Sequence, residues 1–381
     1  MLFVIDQSVI DLFAAGRAQA LDVNGLDYLA LGVAEGNHRI IGPRKVLLDL
    51  AVQDTLHKKT RSVINRAVNR AAQEGKLHHQ LSVYGRVLAD GGTVPVSRMH
   101  GLQRVISFPL RWFDSSAKIQ PTVVLGEDLS DVGVLEKVGE VGTVLAGLRH
   151  LPLRLSHDHG GGSKIGVVLG SNASANRFCV CIVDSDRACP TGTLGGTAIT
   201  VQSYKNPAAY PLVDVAETSG RDLENALPDV FYRTAYTDPS RHGPMVTLLE
   251  HLTQSGETDV RAHLDIEKGL TLRQVYNHPT GSPENVFWRA KLNSLLASPG
   301  IVHSSLPCLA TGVCASPQNA DCTCVILVGN RANILDHFID RFGSATRYYL
   351  ASCLDRSVRS EWHRLGANIA SWCCGDEPLR M

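Results

Sequence analysis

Short apolar runs alternate with helical patterns through the middle of the chain. Thr122–Gly126 is one such run, and Arg177–Val183 contains the continuous apolar sequence Phe-Cys-Val-Cys-Ile-Val. A run that is apolar on both faces is typical of a parallel strand covered by helices on each side. The same pattern predicts two further strands, at Leu151–Ser156 and Leu212–Ala216.

Helical patterns follow these predicted strands. From Asp131 to about His150, apolar residues recur at helical spacing. An alternation of strand and helix predicts the α/β class, with a parallel sheet of about four strands, flanking helices and right-handed crossovers. Further helices are predicted after the Gly160-Gly161-Gly162 turn through Val168, over Thr197–Tyr204 and over Arg221–Tyr232.

The flanks of this central region have different patterns. Residues 1–118 begin with a short apolar strand and contain a long helical pattern at 44–73, which predicts an N-terminal α/β or helical region. Beyond residue 245 the pattern is mainly helical, with a strand predicted at Cys324–Val328. The predicted domains are therefore 1–118, 119–245 and 246–381.

The N-terminal helical pattern carries a basic face. Five basic residues and no acid lie between Thr55 and Ala72, and Lys59, Arg66 and Arg70 share roughly one side of the helix. Two interpretations stay open. The face is either simply solvated, or it follows a nucleic-acid backbone, where cations gain affinity by releasing counterions.

Composition narrows the class of protein. Hydrophobic residues make up 44% and charged residues 19% of the 381 residues, as in ordinary globular proteins, and the net charge is zero. Nucleic acid must therefore be bound by local patches rather than by a general positive field. No apolar run approaches the roughly 18 residues that span a bilayer, and Met1–Gln7 has no secretory pattern. Ten cysteines in a chain that needs no disulfides predict a cytoplasmic protein.

Acidic residues follow the predicted strands at three places. They are Glu127 with Asp131, Asp184 with Asp186, and Asp222 with Glu224. Because the carboxyl ends of parallel strands meet at one edge of a sheet, these carboxylates can converge there. Hard oxygen ligands of this kind suit Mg²⁺ or Mn²⁺. The simpler interpretation is that Asp184 and Asp186 only end a strand or cap the next helix.

This arrangement resembles the topoisomerase–primase (Toprim) fold. The pattern of that fold is a strand ending in Glu with Asp four residues later, here Gly126-Glu127 to Asp131, then a strand ending in Asp184-Ser185-Asp186. The stretch Gly220–Pro228 is similar to a segment of bacterial Toprim nucleases, including the OLD-type nucleases of phage-defence loci. In one departure, the usual Glu-Gly order after the first strand is reversed.

The resemblance implies a Mg²⁺- or Mn²⁺-dependent nuclease that hydrolyses DNA or RNA in antiviral defence. Glu127 would be a metal ligand or the general acid/base, and Asp184 and Asp186 would be metal ligands. Asp131 and Glu224 would contribute to a second metal, since paired metals stabilise both the attacking and the leaving oxygen.

A basic residue near the metals is expected to meet charge on the phosphate. Lys268, in Leu264–Gly269, is similar to an Asp-x-x-Lys-Gly element of some relatives. The ordinary interpretation is a surface lysine at a helix end.

A glycine-rich run at Ser156–Lys164 is predicted at the same sheet end as the acids. Its backbone N–H groups and Lys164 can approach a phosphate, or the run is only a flexible turn. It lacks the spacing of an ATP-binding P-loop, as does the rest of the chain. An ATPase, or another defence-system partner, would therefore be a separate protein.

Four cysteines, Cys308, Cys314, Cys322 and Cys324, lie close together near the C-terminal end. Their spacings of five, seven and one intervening residues do not match the two-residue knuckles of common zinc sites. Small buried hydrophobes are the favoured interpretation, and a structural Zn²⁺ is the alternative.

Two other functions stay open. A Toprim domain without activity can serve as a scaffold or nucleotide sensor in a defence complex. An Asp-x-Asp pair after an apolar strand can also bind Mn²⁺ and the diphosphate of a nucleotide sugar, as in glycosyltransferases. The glycosyltransferase alternative predicts that Glu127 and Asp131 lie away from Asp184.

Overall fold

The computed structural model divides the chain into two compact units. The first comprises Met1–Ile182, Thr200–Ala216 and His363–Met381, and the second comprises Val183–Ile199 and Glu217–Trp362. This division does not follow the boundaries predicted at 118 and 245. The structure describes residues 1–90, 92–238, 242–301, 307–312, 324–330 and 333–379.

A five-stranded sheet occupies the N-terminal part of the first unit. Its strand order is β2-β1-β3-β5-β4, in which β4 alone runs antiparallel to its neighbour. Phe3 is buried at its centre, against Phe108 and Phe113. The strands are β1 (Leu2–Ile5), β2 (Arg39–Ile41), β3 (Val83–Leu88), β4 (Val96–His100) and β5 (Gln103–Pro109).

Four helices connect the first three of these strands. The long helix predicted at 44–73 is two helices, because the chain turns at Val52–His57 between them. The apolar stripe predicted on this segment is buried, with Val63, Ile64 and Ala67 nearly inaccessible. The helices are α1 (Gln7–Ala14), α2 (Ala20–Ala34), α3 (Arg44–Ala51) and α4 (Lys58–Glu74).

A second sheet of four parallel strands confirms the predicted α/β class. Its order is β7-β6-β8-β9, with Gly126 opposite His159 and Leu125 opposite Cys181. The central strands β6 and β8 lie where the apolar runs predict them, and both are completely buried. The strands are β6 (Thr122–Gly126), β7 (Leu155–His159), β8 (Cys179–Val183) and β9 (Val213–Glu217).

Helices α5 (Leu129–Leu145), α6 (Ile165–Ser174) and α7 (Gly196–Val201) follow β6, β7 and β8. Gly142 of α5 lies against Gly366, where a Cβ atom would come within 2.2 Å of the Gly366 carbonyl carbon. Only glycine therefore permits this close approach. The C-terminal segment also joins the sheet, because Thr122 donates a hydrogen bond to the Trp372 carbonyl at 2.7 Å.

The second unit is mainly helical, as predicted for residues after 245. The helix predicted at Arg221–Tyr232 is instead a short 3₁₀ turn at Leu223–Ala226 and a helix that begins after Pro228. Its two short strands, β10 (Gly269–Thr271) and β11 (Val325–Val328), pair antiparallel. The helices are α8 (Asp229–Ala235), α9 (Gly243–Ser255), α10 (Thr258–His263), α11 (Leu272–Tyr276), α12 (Pro283–Leu296), α13 (Pro307–Thr311), α14 (Ile334–Phe342), α15 (Arg347–Cys353) and α16 (Arg356–Trp372), which continues into the first unit.

Among the described residues, none of these helices combines the length and apolar character needed to cross a membrane.

Candidate functional site

Glu127 follows β6 in the first unit, and the residues around it explain the reversed Gly126-Glu127 order. A Cβ atom at position 126 would lie 2.8 Å from the Cβ of Asp131, so the position before Glu127 must be glycine. The Asp131 carboxylate accepts a hydrogen bond from the Asp128 N–H at 2.8 Å and forms a capping box at the start of α5. Asp131 thus has a structural role, and its role as a metal ligand stays a prediction.

The glycine-rich run lies beside Glu127, as the sequence predicts. The Gly160 N–H donates to the Gly126 carbonyl at 3.0 Å, and the Gly162 N–H donates to the Glu127 carbonyl at 3.2 Å. Gly161 and Gly162 have φ angles of 55° and 68°, which favour glycine. Lys164 follows directly and precedes α6. A phosphate contact by Lys164 stays a prediction.

Asp184 and Asp186 follow β8 and belong to the second unit. Asp184 Oδ1 accepts a hydrogen bond from the Leu223 N–H at 2.7 Å, which places its carboxylate beside the loop after β9. Asp186 has a φ of 53°, so the backbone turns at this residue and the alternation predicted for an extended Asp184-Ser185-Asp186 is not present. Such a conformation is strained for a non-glycine residue and is frequent at functional sites.

Gly195 leaves room for the Asp186 side chain. A Cβ atom at position 195 would lie 2.0 Å from Asp186 Oδ2, and the Gly195 N–H donates to the Ser185 carbonyl at 2.9 Å. The Asp186 N–H in turn donates to the Arg221 carbonyl at 2.9 Å. The aspartate is therefore fixed between two backbone segments of the second unit.

Asp222 completes a group of acids in this unit. Burial raises the pKa of Asp222 to about 6, Arg221 opposes the shift, and the negative charges of Asp265 and Asp186 add to it. Arg221 contacts both Asp222, at 3.3 Å, and Asp265, at 3.1 Å. We call Asp184, Asp186, Asp222 and Asp265 the acid cluster. Burial and the neighbouring negative charges therefore outweigh the effect of Arg221 on the pKa of Asp222.

Lys268 lies next to the acid cluster. Its backbone N–H donates to Asp265 Oδ1 at 2.7 Å, its Nζ lies 4.0 Å from Asp265 Oδ2, and its charge lowers the pKa of Asp222. The side chain is 71% exposed, so Nζ can reach a ligand in solvent. The second unit thus brings together three predicted site residues, Asp184, Asp186 and Lys268.

Glu224 lies near two buried tyrosines. Burial raises the pKa of Tyr232 and of Tyr236, and the charge of Glu224 adds to both shifts. Its carbonyl also accepts a hydrogen bond from the Tyr232 hydroxyl at 2.8 Å. Asp222, two residues before Glu224, is an acid of this segment whose pKa is raised by the charge of Asp186. A metal-binding role of Glu224 stays a prediction.

The sequence named Asp222 among the converging acids without giving it a role, and it did not point to Asp265, Gly195 or Arg261. Asp265 could have been found from its position, since it lies three residues from Lys268. No sequence signal marks Gly195 or Arg261.

Arg261 is buried and holds the loop that carries Asp222. Its guanidinium donates to the carbonyls of Asn225, at 2.6 Å, and Leu227, at 2.8 Å, and forms an ion pair with Asp229 at 2.9 Å. Hydrogen bonds from a buried cation to carbonyl groups rigidify a loop without regular secondary structure.

The basic face of α4 is largely engaged within the first unit. Arg70 binds both oxygens of Asp376 at 2.7 Å, and Arg66 lies 3.1 Å from the same carboxylate. Lys59 lines a separate cavity of 360 Å³ together with Asp27. Binding of nucleic acid by Lys59, Arg66 and Arg70 stays a prediction.

The part of the chain that is described contains no group of three or more His, Cys, Asp or Glu side chains arranged to hold a metal ion. Mg²⁺ does not require such a cage, because it keeps several waters and binds through one or two carboxylates and a substrate phosphate. The acid cluster, with oxygen donors only and a carboxylate of raised pKa, fits an open site of this kind.

Two of the four clustered cysteines lie within the described residues. Cys308 and Cys324 are buried free thiols, whereas Cys314 and Cys322 lie outside the described residues. The Zn²⁺ alternative therefore stays untested.

Comparison with protein-family models, with curated proteins and with solved structures gives no significant match for this chain. The resemblance to Toprim nucleases therefore rests on the motifs quoted above.

Proposed function

We propose that this chain is a Mg²⁺- or Mn²⁺-dependent nuclease that hydrolyses phosphodiester bonds of DNA or RNA. The observation that carries the proposal is the acid cluster beside Lys268, in which Asp184, Asp186 and Asp222 approach one another. A role in bacterial antiviral defence, with a separate ATPase or other defence protein as partner, comes from the resemblance to OLD-type nucleases alone.

The residues of the acid cluster have distinct roles in this proposal. Asp184, held by the Leu223 N–H, and Asp186, held against Gly195, present oxygen ligands in fixed positions. Bound there, Mg²⁺ supplies charge neutralisation for the phosphate and lowers the pKa of a water molecule. Lys268 contacts a non-bridging phosphate oxygen and stabilises the charge that develops on it. Glu127 is the proposed metal ligand or general acid/base, as the resemblance implies.

Cleavage by the purified full chain tests the proposal. Supercoiled plasmid, linear duplex, single-stranded DNA and single-stranded RNA are incubated with Mg²⁺, with Mn²⁺ and with EDTA. We expect cleavage of at least one substrate that requires the metal. Asp184→Asn and Asp186→Asn should each reduce the rate about 100-fold or more, since each removes a charged ligand.

Asp340→Asn is the matched control, because Asp340 is an exposed acid on α14 outside the acid cluster. Its rate should equal that of the unaltered chain. Cleavage that survives both substitutions in the acid cluster would rule out this site. Absence of cleavage on all four substrates would favour the scaffold or sensor, and Mn²⁺-dependent hydrolysis of a nucleotide sugar would favour the glycosyltransferase.

A further inference from the structure

A cavity of 940 Å³ opens at one end of the N-terminal sheet, within the first unit. Its walls come from the residues that follow three neighbouring parallel strands: Asp6 after β1, Asp90 after β3 and Arg111 after β5. Helices α1 and α2 close its other side through Asp11 and Asp22. We call it the β1–β3 cleft.

Strand order explains why a cleft forms here. The chain passes from β1 to β2 on one side of β1 and then to β3 on the other side. The chain therefore leaves the carboxyl end of β1 toward β2 and the carboxyl end of β3 in the opposite direction, toward β4 and β5. In open α/β sheets, ligands bind in the crevice at this change of direction. The position of the cavity is thus independent evidence that it receives a ligand.

Charged side chains of both signs line the cleft. Five aspartates and three cations contribute, and Leu12, Leu88 and Trp112 form an apolar part of the wall. Pockets of about 300–1,000 Å³ with apolar walls and a few convergent polar groups are typical of small-molecule sites. The cleft is therefore large enough for a nucleotide.

Ion pairs fix three of the five aspartates of the cleft. The buried Asp22 accepts a hydrogen bond from Arg111 Nε at 2.7 Å, and Asp114 accepts one from Lys118 Nζ at 2.9 Å. Asp6 accepts a hydrogen bond from Arg86 Nε at 2.9 Å. These pairs hold the carboxylates in place before any ligand arrives.

Arg17 differs from the other cations of the cleft. It is exposed, it follows α1, and it forms no ion pair with any residue in the described part of the chain. Guanidinium groups bind phosphate through two parallel hydrogen bonds. Arg17 is therefore the cation that is available to a phosphate group.

We propose that the β1–β3 cleft binds the phosphate of a nucleotide together with a divalent cation. Arg17 contacts the phosphate, and Asp6 and Asp90, at the ends of the two strands that flank the crevice, contact the cation. The proposal goes beyond the nuclease function, since it uses no residue of the acid cluster.

The charge of the cleft selects this class of ligand. Five carboxylates and three cations line it and Arg86 pairs with Asp6 from outside the lining, so one negative charge remains in excess and disfavours a bare phosphate. A divalent cation alone would make no use of Arg17 or of the apolar wall. A phosphate that carries Mg²⁺ can bind both Arg17 and the carboxylates, and the nucleoside contacts Leu12 and Leu88.

Isothermal titration of the full chain tests this proposal. The probes are adenosine 5′-monophosphate, a 5′-phosphorylated trinucleotide and inorganic phosphate, each with Mg²⁺ and with EDTA. We expect binding of a nucleotide probe that requires Mg²⁺ and is at least 10-fold tighter than binding of phosphate. Tighter binding of the mononucleotide identifies a free nucleotide as the ligand, and tighter binding of the trinucleotide identifies a strand end.

Arg17→Ala and Asp90→Asn should each weaken binding of the preferred probe at least 10-fold. Lys45→Ala, which removes an exposed cation of α3 outside the cleft, should leave it unchanged. Asp184→Asn should also bind normally, which separates this site from the proposed nuclease site. The proposal is overturned by absence of binding in Mg²⁺, by unchanged affinity in Arg17→Ala, or by loss of binding in Asp184→Asn.

Discussion

The β1–β3 cleft and the acid cluster are both rich in aspartate, but they neutralise negative charge in opposite ways. In the cleft, Asp22 and Asp114 each pair with a cation of their own, and hydrogen bonds from Arg111 and Lys118 lower the pKa of the respective carboxyl. In the acid cluster, Arg221 is shared by two carboxylates, and burial raises the pKa of Asp222 to about 6.

The two regions would therefore gain different things from a ligand. In the cleft, Asp22 and Asp114 are already paired with cations, and a ligand would fill the space between the carboxylates. In the acid cluster, burial and the charges of Asp265 and Asp186 raise the pKa of Asp222, so added positive charge would stabilise its ionised form. A cation bound there would stabilise the fold as well as the ionised carboxylates, because a ligand that binds only the folded state stabilises it.

Arg221→Gln should have the largest effect on stability. The substitution leaves Asp222 and the buried Asp265 without their shared guanidinium, and breaking a largely buried ion pair costs about 3 kcal/mol. Urea unfolding in EDTA measures this loss, and Mg²⁺ should recover part of it. Arg359→Gln, an exposed change on α16, is the control. A loss below about 0.5 kcal/mol, the size of a surface effect, would show that Arg221 does not neutralise the cluster.

Asp222→Asn should reveal how the stability of the acid cluster depends on pH. The dependence is opposite in sign to that of Asp22 and Asp114 in the cleft, whose pKa values are lowered. The folded state holds the Asp222 proton more tightly than the unfolded state, because its pKa is raised to about 6. The stability that this carboxyl contributes is fully present below its unfolded pKa of about 3.9 and is lost as pH rises through about 6.

The neutral asparagine avoids this loss. In EDTA, Asp222→Asn should be more stable than the unaltered chain by about 2 kcal/mol near pH 8, and equally stable near pH 4. Unfolding free energies across this range give the comparison. A variant that is less stable near pH 8 would show that Asp222 is already neutralised within the protein.

Lys118→Gln should have the smallest effect. Lys118 pairs with Asp114, whose side chain is 57% exposed, and exposed pairs contribute about 0.2–1 kcal/mol that is screened by salt. Urea unfolding at low and high salt measures the change. A loss of unfolding free energy well above 1 kcal/mol would mean that the ion pairs of the cleft contribute strongly to stability. The cleft and the acid cluster would then not differ in this respect.

The sequence predicts the central sheet well because its strands are marked by composition. β6 and β8 are apolar on both faces, and such runs are typical of parallel strands that are buried on both faces. The strand predicted at Leu151–Ser156 lies instead at Leu155–His159. This edge strand carries Ser-His-Asp-His, whose polar character hides it from an analysis based on apolar runs.

The N-terminal sheet is harder to predict because its pairing is not local. β1 lies beside β3, about eighty residues later in the chain, and short strands such as β2 have little pattern of their own. The cleft at its end therefore has no sequence signature.

The candidate site was predicted in part. The Asp-x-Asp pair and Lys268 lie in the same unit, and Asp222, one of the acids noted after the predicted strands, interacts electrostatically with Asp186. The left-handed backbone at Asp186 could not be inferred from the tripeptide, for which an extended conformation was predicted.

The discontinuous composition of the first unit has a consequence for synthesis on the ribosome. Its last segment, His363–Met381, supplies Trp372 to β6 and Asp376 to Arg70. The second unit ends at Trp362 and is therefore complete in the emerging chain before the first. Domains generally fold from the N-terminus as they are made. Here the first unit can be completed only after its last segment, His363–Met381, has been synthesised. During that interval Asp376 is not available to Arg70, whose other carboxylate partner is Glu74 of the same helix, at 3.6 Å.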